Sequence, residues 1–569
     1  MKKNIQFISL TVIIGFILLC SFKSALFNYY VTDGIHTYSS WVKNSVYMNV
    51  FFITAFLYLL IFRCPFRILF AVVWVLQSLF LFINLVYYFY FEGFLHFNQY
   101  FELWAETLEL MKRSAVPFEP RVLIVFIDLP FVIFLLVFYK KVQILAKTTF
   151  YRYLSYVPAF FILYNFSKWD WIKTGTPFET MRSQYVSEVE TVRKFGLLSV
   201  NLYHLYYYDK YVKLTNQFNY GSVIKRSAEQ IDSCSLPNNV VIIQIESMDA
   251  FAINKLWNNK KVAPHFYAMA RKFIYYPYML SYHKAGSTSD CEFSCLNSVE
   301  ALDLFPSIKL RNYDYPNALP KCFTKNNFDV AIFHGNRGEY FNRRIAFKKM
   351  GFPAFYDIFD MKLKEVIWGA PDGKVLDKVA LKVRNNDTTP FYYHTITMSS
   401  HEPFIFTGPY FKADKFNSIP DKLPRNYFTS IAYVDSVVSN FVNTVRHQKP
   451  NTVFFIFGDH TPAIKDNKYY TQAAYKDNGL YFEYVPLIII TPDSKKHFEK
   501  KRAVSFLDIA PTALLSANVP FTMSSLGQNL LEPDSLTSEI PYRGVNFSRE
   551  ELFNKVNTLY EKAYGHLKP

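Results

Sequence analysis

Cysteine is scarce in this chain of 569 residues, and its six cysteines include no CxxC pair with the spacing of a metal site. The sequence also lacks internal repeats and low-complexity tracts. No nucleic-acid recognition motif accompanies the formal net charge of +16, so the charge by itself does not indicate a nucleic-acid partner. These absences argue against a cysteine-held metal module, a repeat protein and a nucleic-acid-binding domain.

Apolar residues, by contrast, are concentrated in the first part of the chain. Apolar runs occupy residues 5–22, 46–62, 68–91, 122–139 and 153–166. The first four approach or exceed the roughly 18 to 20 residues that cross a bilayer, and the fifth is shorter and contains Pro158. The first run has no clear cleavage site, so we expect it to be an uncleaved helix. The pattern predicts a transmembrane domain of five helices over residues 1–166.

Basic residues in the short loops indicate the orientation. Loops that contain Lys2, Arg63 and Lys140 fall on one side if all five runs span the membrane, and that side is the cytoplasm. We therefore expect a multi-pass protein of the cytoplasmic (inner) membrane, with residues 167–569 on the extracytoplasmic or periplasmic side. Attraction to anionic lipid headgroups then explains the net positive charge better than nucleic acid does.

The exported cysteines are Cys234, Cys291, Cys295 and Cys322. An oxidising exterior permits one or two disulfides among them, although the sequence does not reveal the connectivity.

The exported part has the pattern of an α/β domain. Residues 167–237 are mixed in character and are predicted to form a helical connector. Nearly continuous apolar runs follow at residues 239–247, 328–336, 390–401, 451–460 and 483–493. Because long segments able to hold helices separate them, they indicate strands buried on both faces of a mostly parallel, helix-covered sheet. The predicted domain covers residues 238–569.

Polar side chains mark the ends of four of these strands. They are Glu246, His334, His401, Asp459 and His460. Open parallel sheets place their active sites at the carboxyl ends of the strands, so we expect these side chains to converge. Glu246, Asp459 and His460 form a ligand set that suits a divalent ion such as zinc or manganese.

A fourth ligand could come from the loop AGSTSDCEFSC, residues 285–295. An alcohol is a poor nucleophile at neutral pH, and a metal ion would activate it. The residues leave two candidates for this hydroxyl, Thr288 and Ser289.

Several motifs in this order resemble one known family. They are IxxES, GSTSDCEF, FHGNRGEYFNRR, SSHEPF, FGDHTP, DIAPTAL and SLGQNLL. Together with the five apolar runs, they resemble the lipoteichoic acid synthase and phosphoglycerol transferase family, which belongs to the alkaline phosphatase/sulfatase superfamily. The resemblance covers nearly the whole chain. It implies an α/β domain of the alkaline phosphatase/sulfatase type.

The resemblance also implies roles for individual residues. Thr288 would be the nucleophile. One divalent metal ion, typically manganese in the family with zinc or magnesium as alternatives, would be held by Glu246, Thr288, Asp459 and His460. The substrate would be bound by His334, Phe341, Arg343 and His401. Phe341 stands where the family usually has Trp, which changes an aromatic wall of the pocket and puts the choice of acceptor in doubt.

The activity implied is transfer of a glycerol-phosphate headgroup from an anionic phospholipid such as phosphatidylglycerol to a glycan or polyol acceptor, through a covalent threonine intermediate. Phosphoethanolamine transfer to lipid A or a surface glycan is an alternative, as is a phosphodiesterase in which water replaces the acceptor. A receptor or scaffold with an inactive domain is disfavoured because the four metal-site residues are all present. A sulfatase is disfavoured because Cys291 lacks the C-x-P-x-R context of a sulfatase.

Overall fold

The structure is a computed structural model. It describes residues 22–23, 26–27, 30, 66–91, 94–95, 97, 120–130, 132–133, 192, 197, 200–205, 218–231, 236–283, 286, 288–302, 306–310, 313–338, 341, 343–366, 369–406, 411–493, 498–499, 501–532 and 537–564. The chain divides into two compact units, residues 1–213 and residues 214–569. The two units are considered separately below.

The first unit contains helix α1, Phe66–Phe91, which coincides with the apolar run at 68–91. Among the residues that the structure describes, no helix is both long and apolar enough to cross a membrane. The runs at 46–62 and 153–166 and nearly all of 5–22 lie outside the described residues, so the five-helix domain stays a prediction. Inside this unit, the buried Lys23 ammonium lies 3.0 Å from a carboxylate oxygen of Asp128.

The second unit holds the strands and most of the helices that the structure describes. Its strands are β1 Ser222–Arg226, β2 Asn239–Ile245, β3 Leu256–Trp257, β4 Lys260–Lys261, β5 Ile274–Leu280, β6 Asp329–His334, β7 Ala354–Tyr356, β8 Phe391–Ile396, β9 Thr452–Gly458, β10 Ala474–Asp477, β11 Leu480–Ile490, β12 Phe498–Glu499, β13 Val504–Ser505, β14 Phe521–Ser525, β15 Glu539–Tyr542 and β16 Val545–Ser548. Its α-helices are α2 Pro264–Lys272, α3 Thr288–Asn297, α4 Leu319–Lys325, α5 Arg343–Lys349, α6 Asp372–Arg384, α7 Lys422–Gln448, α8 Ile509–Ser516 and α9 Arg549–Tyr564.

The central sheet has the strand order β12-β5-β11-β9-β2-β8-β6-β7, with β10 beside β11 and β13 beside β5. The strands β9, β2, β8, β6 and β7 are parallel to one another, as the sequence predicts. Their carboxyl ends therefore meet at one edge of the sheet, where Glu246, His334 and Asp459 lie.

Strand β11 is the exception to the parallel direction predicted for the strands of this sheet. It runs antiparallel to both of its neighbours, β9 and β5, so the sheet is mixed. The chain reaches β11 from β10 through the two residues Asn478 and Gly479, both of which have positive φ, and no helix lies between β9 and β10. The segment between β9 and β11 therefore ends in a hairpin turn and lacks the helix that usually connects parallel strands.

Helices cover both faces of the sheet. On one face, apolar residues of α6 and α7, including Leu376, Val379 and Val434, form a continuous core with strand residues such as Tyr393. Successive strand residues point to opposite faces, so the neighbouring Tyr392 faces the other layer, where it stacks on Phe323 of α4. This double coverage confirms an α/β domain of the predicted class and leaves the carboxyl edge open for polar groups.

The connector predicted over residues 167–237 is partly wrong. Residues 200–205 are helical, but Ser222–Arg226 is strand β1, which pairs antiparallel with β14 near the end of the domain. The β-branched Val223 and Ile224 favour this extended pairing.

Candidate active site

Glu246 directly follows β2, and its side chain is buried. One carboxylate oxygen accepts a hydrogen bond from the Ser247 hydroxyl at 2.9 Å and lies 3.2 Å from His460 Nε2. Burial by itself would raise the pKa of Glu246, but the charge and hydrogen bond of His460, together with His401 and the Ser247 hydroxyl, lower this pKa below its usual range. Glu246 is therefore held as a carboxylate that faces into the site.

Asp459 follows β9, the strand that pairs with β2. Its Oδ1 accepts two backbone N–H groups, from Ser247 at 2.8 Å and from His460 at 2.7 Å. Its Oδ2 is buried and has no hydrogen-bond partner among the described residues. Burial and the nearby Glu246 charge raise the pKa of Asp459 well above its ordinary value. A cation would satisfy this oxygen and relieve the repulsion between the two carboxylates.

His460 is oriented by its neighbour Thr461. The Nδ1–H group donates to the Thr461 carbonyl at 2.9 Å, which leaves Nε2 pointing at the two carboxylates. Nε2 lies 3.2 Å from Glu246 and 3.7 Å from Asp459. Burial lowers the pKa of His460, but the charges of Asp459 and Glu246 outweigh burial and raise it well above its ordinary value. The site therefore favours a positive charge next to Nε2, the position that a metal ion would take.

The residues present fit a divalent metal ion. Ligand atoms from Glu246, Asp459 and His460 all lie within 4.8 Å of one another. The set consists of two carboxylates and one imidazole whose Nε2 faces them. Zinc, manganese and magnesium can each bind such ligands, so the set does not identify the metal. The structure thus brings together three residues that the sequence predicts as metal ligands, and their assignment as ligands stays a prediction.

Thr288 is the first residue of α3, and its hydroxyl faces the same cluster. Thr288 Oγ1 lies 3.3 Å from Glu246 Oε2 and 3.4 Å from His460 Nε2. The other candidate hydroxyl is turned away, because Ser289 Oγ donates to the Gly286 carbonyl at 2.6 Å. The geometry therefore favours Thr288 as the nucleophile.

Gly286 shapes the loop that delivers Thr288. Its N–H donates to Asp290 Oδ2 at 2.8 Å, and a Cβ atom at this position would lie 2.1 Å from Asp290 Oδ1. Only glycine permits this close approach. Asp290 thus fixes the start of the helix, where an acidic residue in the first turn is favourable.

Arg343, the first residue of α5, is held by an acidic partner that the sequence does not identify. Its Nε lies 3.0 Å from both carboxylate oxygens of Glu292, and its Nη2 lies 2.6 Å from one of them. Both side chains are buried. The Nη1 group lies 3.2 Å from His334 Nε2, so the guanidinium connects Glu292 to His334.

His334 ends β6, and the backbone fixes its tautomer. Its Nδ1 donates to the Ile396 carbonyl at 3.1 Å, which leaves Nε2 to accept from Arg343. Burial, together with the Arg343 charge, lowers the pKa of His334 to about 3. His334 is therefore a neutral acceptor that orients Arg343.

Phe341 and His401 complete the set of predicted substrate residues. The Phe341 ring centroid lies 5.1 Å from Arg343 Cζ and 5.6 Å from Lys309 Nζ, so two cations flank the ring. Its φ of 56° is uncommon for an aromatic residue, which indicates that the local fold imposes this placement. His401 is partly exposed, and its charge acts on Glu246 and His334. Both residues are thus partly exposed, and each interacts with at least one group of the site.

Cys291 lies in α3, three residues after Thr288, and has a packing role. Its buried thiol donates to the Asp459 carbonyl at 2.7 Å. Burial and the Asp459 charge raise the pKa of the thiol well above its ordinary value, so it is not a reactive thiolate. Cys291, Cys295 and Cys322 are free thiols, and Cys234 lies outside the described residues. No disulfide forms among the three described cysteines.

Sequence analysis missed three residues around His460: His283, Thr461 and Glu483. Glu483 lies near the start of β11, and only an antiparallel strand places its start at the carboxyl edge of the parallel strands. The turn at Asn478 and Gly479 was the available signal, because an Asn-Gly pair between two extended segments is typical of a hairpin.

Comparisons with known proteins agree with this geometry. Residues 238–519 match the Sulfatase family model. The lipoteichoic acid synthase-like protein YvgJ of Bacillus subtilis is 24% identical over 348 residues, which cover 58% of this chain and 55% of that protein. The lipoteichoic acid synthase of Staphylococcus aureus is 28% identical over 230 residues, 39% of this chain and 35% of that protein. The chain thus matches between a third and about half of the length of these curated relatives.

A solved structure extends the likeness in fold. The integral membrane protein lipooligosaccharide phosphoethanolamine transferase A of Neisseria meningitidis aligns with 91% of this chain and 97% of its own chain, with a TM-score of 0.51 and 14% identity. At this identity, the likeness concerns the fold alone. Residues 238–519 are thus similar to the Sulfatase family, and the chain is lipoteichoic acid synthase-like, which confirms the predicted resemblance to that branch of the alkaline phosphatase/sulfatase superfamily.

Proposed function

We propose that this protein is a metal-dependent phosphoglycerol transferase, which moves a glycerol-phosphate group from an anionic phospholipid such as phosphatidylglycerol to a hydroxyl of a surface glycan or polymer. The observation that carries the proposal is the position of the Thr288 hydroxyl. It lies 3.3 Å from Glu246 and 3.4 Å from His460, inside the cluster whose third member, Asp459, has a buried oxygen with no hydrogen-bond partner in the described part of the chain.

The reaction consists of two displacements at phosphorus. In the first, the Thr288 hydroxyl loses its proton, Oγ1 bonds to phosphorus, and the bond from phosphorus to the diacylglycerol oxygen breaks. That oxygen takes up a proton and leaves as diacylglycerol. In the second, an acceptor hydroxyl loses its proton and bonds to the same phosphorus. The bond to Oγ1 then breaks, and Thr288 regains its proton.

A bound cation and the amino end of α3 would favour negative charge at the reacting atoms. Glu246, Asp459, His460 and Thr288 would hold the metal ion, and manganese, zinc and magnesium remain candidates. A bound divalent ion would stabilise charge on the hydroxyl oxygen and on the phosphoryl oxygens. Thr288 also begins the ten-residue helix α3, whose amino end favours an anion.

Arg343 is suited to bind the phosphoryl oxygens. A guanidinium has five N–H donors in one plane, and the contacts with Glu292 and His334 leave donors on Nη1 and Nη2 for a ligand. Because Glu292 fixes this plane before substrate binds, Arg343 is preorganised. His401 is placed to hold the substrate or to exchange a proton with it. Phe341 would form the aromatic wall for the glycerol group or the acceptor.

A lipid donor requires a site within reach of a membrane surface. The apolar runs before residue 167 support an anchor in the cytoplasmic membrane with the catalytic domain on its extracytoplasmic side. Under this arrangement, the donor headgroup and the acceptor glycan are both found on that side.

Intact-mass spectrometry of the full-length protein tests the proposal. Wild type and Thr288→Ala are incubated with Mn²⁺ and either phosphatidylglycerol or phosphatidylethanolamine. A phosphoglycerol adduct on the wild type alone is the expected result. A phosphoethanolamine adduct would assign the alternative transferase activity, and release of free headgroup with no transfer to an added polyol would indicate a phosphodiesterase. Absence of both adduct and turnover would contradict the proposal.

A further inference from the structure

The buried carboxylate of Glu483 lies close to the cluster of Glu246, Asp459 and His460, but its hydrogen bonds go to Thr461 and His283. It lies near the start of β11, and the residues that follow it in the strand, through Ile490, are apolar and buried. Because β11 is antiparallel to β9, its start lies at the edge where Asp459 and His460 follow β9. A buried carboxylate in such a strand is costly unless it is fully hydrogen-bonded, so its partners indicate what it does.

One carboxylate oxygen of Glu483 fixes Thr461. Oε1 accepts the Thr461 N–H at 2.6 Å and the Thr461 hydroxyl at 2.5 Å. The carbonyl of the same Thr461 accepts the Nδ1–H of His460 at 2.9 Å. Glu483 therefore holds both the backbone and the side chain of the residue that sets the tautomer and the in-plane orientation of His460.

The other oxygen of Glu483 fixes His283, which follows β5 at the same edge. Oε2 lies 3.1 Å from His283 Nδ1. The His283 ring stacks on the His460 ring, with centroids 4.3 Å apart and an interplanar angle of 13°. This stacking restrains His460 against rotation out of its plane. One oxygen of Glu483 thus restrains the edge of the His460 ring through Thr461, and the other oxygen restrains the face of the same ring through His283.

We propose that Glu483 is a positioning residue for His460, acting through Thr461 on the edge of the imidazole and through His283 on its face. Metal ligation requires a fixed ring with Nε2 aimed at the ion, and groups that orient a ligating histidine contribute to metal affinity. The inference rests on the proposed function, because it takes His460 to be a metal ligand.

His283, His460 and Glu483 could also be considered as a second metal site, since their ligand atoms cluster within 4.8 Å. The ring geometry disfavours this. A histidine directs its lone pair in the plane of its ring, and two nearly parallel stacked rings cannot both aim a lone pair at an ion between them. In addition, His460 Nδ1 already donates to Thr461, and its Nε2 faces Glu246.

The test is Mn²⁺ binding to the full-length protein, measured by isothermal titration calorimetry alongside the thermal unfolding midpoint. Glu483→Ala is expected to weaken Mn²⁺ binding by ~10- to 100-fold, and His283→Ala by up to ~10-fold. Glu483→Gln keeps an acceptor for Thr461, so it should bind Mn²⁺ more tightly than Glu483→Ala does. Wild type should bind one Mn²⁺.

Glu300→Gln is the matched control. Glu300 is a partly buried glutamate whose carboxylate accepts a backbone N–H from Arg543 at 2.6 Å, and it makes no hydrogen bond to His460, Thr461 or His283 among the described residues. It should bind Mn²⁺ as wild type does, even if its unfolding midpoint falls. Unchanged Mn²⁺ affinity in both Glu483→Ala and His283→Ala would overturn the inference. It would also be overturned if Mn²⁺ affinity fell in proportion to the unfolding midpoint in every variant, Glu300→Gln included.

Stoichiometry separates the remaining outcomes. Two Mn²⁺ per wild-type chain and one in Glu483→Ala would overturn the positioning role in favour of a second metal site. No Mn²⁺ binding by wild type would contradict the metal centre of the proposed function, and with it this inference. Tight binding by wild type and by Glu483→Ala alike would overturn the inference and leave the proposed function standing.

Discussion

Arg343 directs its Nε and Nη2 groups at the two carboxylate oxygens of Glu292, and all of these contacts are 3.0 Å or shorter. Both partners are buried, so each charge depends on the other. The relationship joins the amino-terminal turn of α5 to α3, the helix that begins with Thr288. The residue proposed to bind phosphate is therefore tied to the helix that carries the proposed nucleophile.

Removal of Glu292 should destabilise the fold. Glu292→Ala leaves the Arg343 guanidinium buried without its partner, which typically costs about 3–5 kcal/mol of the free energy of unfolding. The measurement is the midpoint of chemical denaturation. Lys555→Ala is the control, since it breaks a partly exposed ion pair with Asp477 and should cost less than about 1 kcal/mol. Equal effects of the two substitutions would contradict a buried, mutually dependent pair.

Substituting Thr288 and Ser289 one at a time should show which of the two hydroxyls is the nucleophile. Thr288→Ala removes the hydroxyl that faces Glu246 and His460, so no adduct should form. Ser289→Ala removes only a bond to the Gly286 carbonyl and should cost about tenfold or less. The rate of adduct formation by intact-mass spectrometry decides between them. A larger loss in Ser289→Ala would transfer the nucleophile assignment to Ser289.

Asp459→Asn should stabilise the metal-free protein while weakening metal binding. Burial and the neighbouring Glu246 charge raise the pKa of Asp459, so the carboxylate is unfavourable without a cation. An amide keeps the acceptor for the Ser247 and His460 N–H groups and relieves the repulsion. The thermal unfolding midpoint without metal should rise, and Mn²⁺ affinity should fall by at least ~100-fold.

Asp357→Asn is the control for that experiment. Asp357 is a buried carboxylate paired with Arg344, so its neutralisation should lower the unfolding midpoint instead. A midpoint that falls in both variants would show that Asp459 is not under the proposed repulsion.

Acid should destabilise the protein partly through His394, a buried residue of β8 away from the cluster. Burial lowers the pKa of His394 to about 3 in the folded state, against an ordinary value of 6.5. Its contribution to stability is therefore present above pH 6.5 and is lost as pH falls toward 3. Between pH 7 and pH 5, the loss is about 2 kcal/mol, because only the unfolded chain takes up the proton.

His394→Leu should therefore lose about 2 kcal/mol less stability than wild type over this range. Urea denaturation at pH 7 and pH 5 measures the difference, and His447→Leu, which changes an exposed histidine on α7, is the matched control. Identical pH dependence in wild type and His394→Leu would contradict the expectation.

The sequence by itself determined the parallel part of the sheet and the polar groups at its carboxyl edge. Continuous apolar runs specify buried strands, and a chain that leaves such a strand places the next polar residue at the sheet edge. Glu246, His334 and Asp459 could therefore be located from local pattern alone. The motif resemblance added Phe341 and Arg343, which no periodicity identifies, and it chose Thr288 over Ser289.

Only the tertiary structure decided which groups face each other. Strand β11 runs antiparallel to β9, and this direction brings Glu483 to His460, which lies more than 20 residues earlier in the chain. The pairing of Glu292 with Arg343 depends on how α3 and α5 pack, because the local sequence does not indicate which residue a helical carboxylate will contact. Local pattern fixes where a side chain leaves its own strand or helix, whereas contacts between distant segments are set by packing of the whole domain.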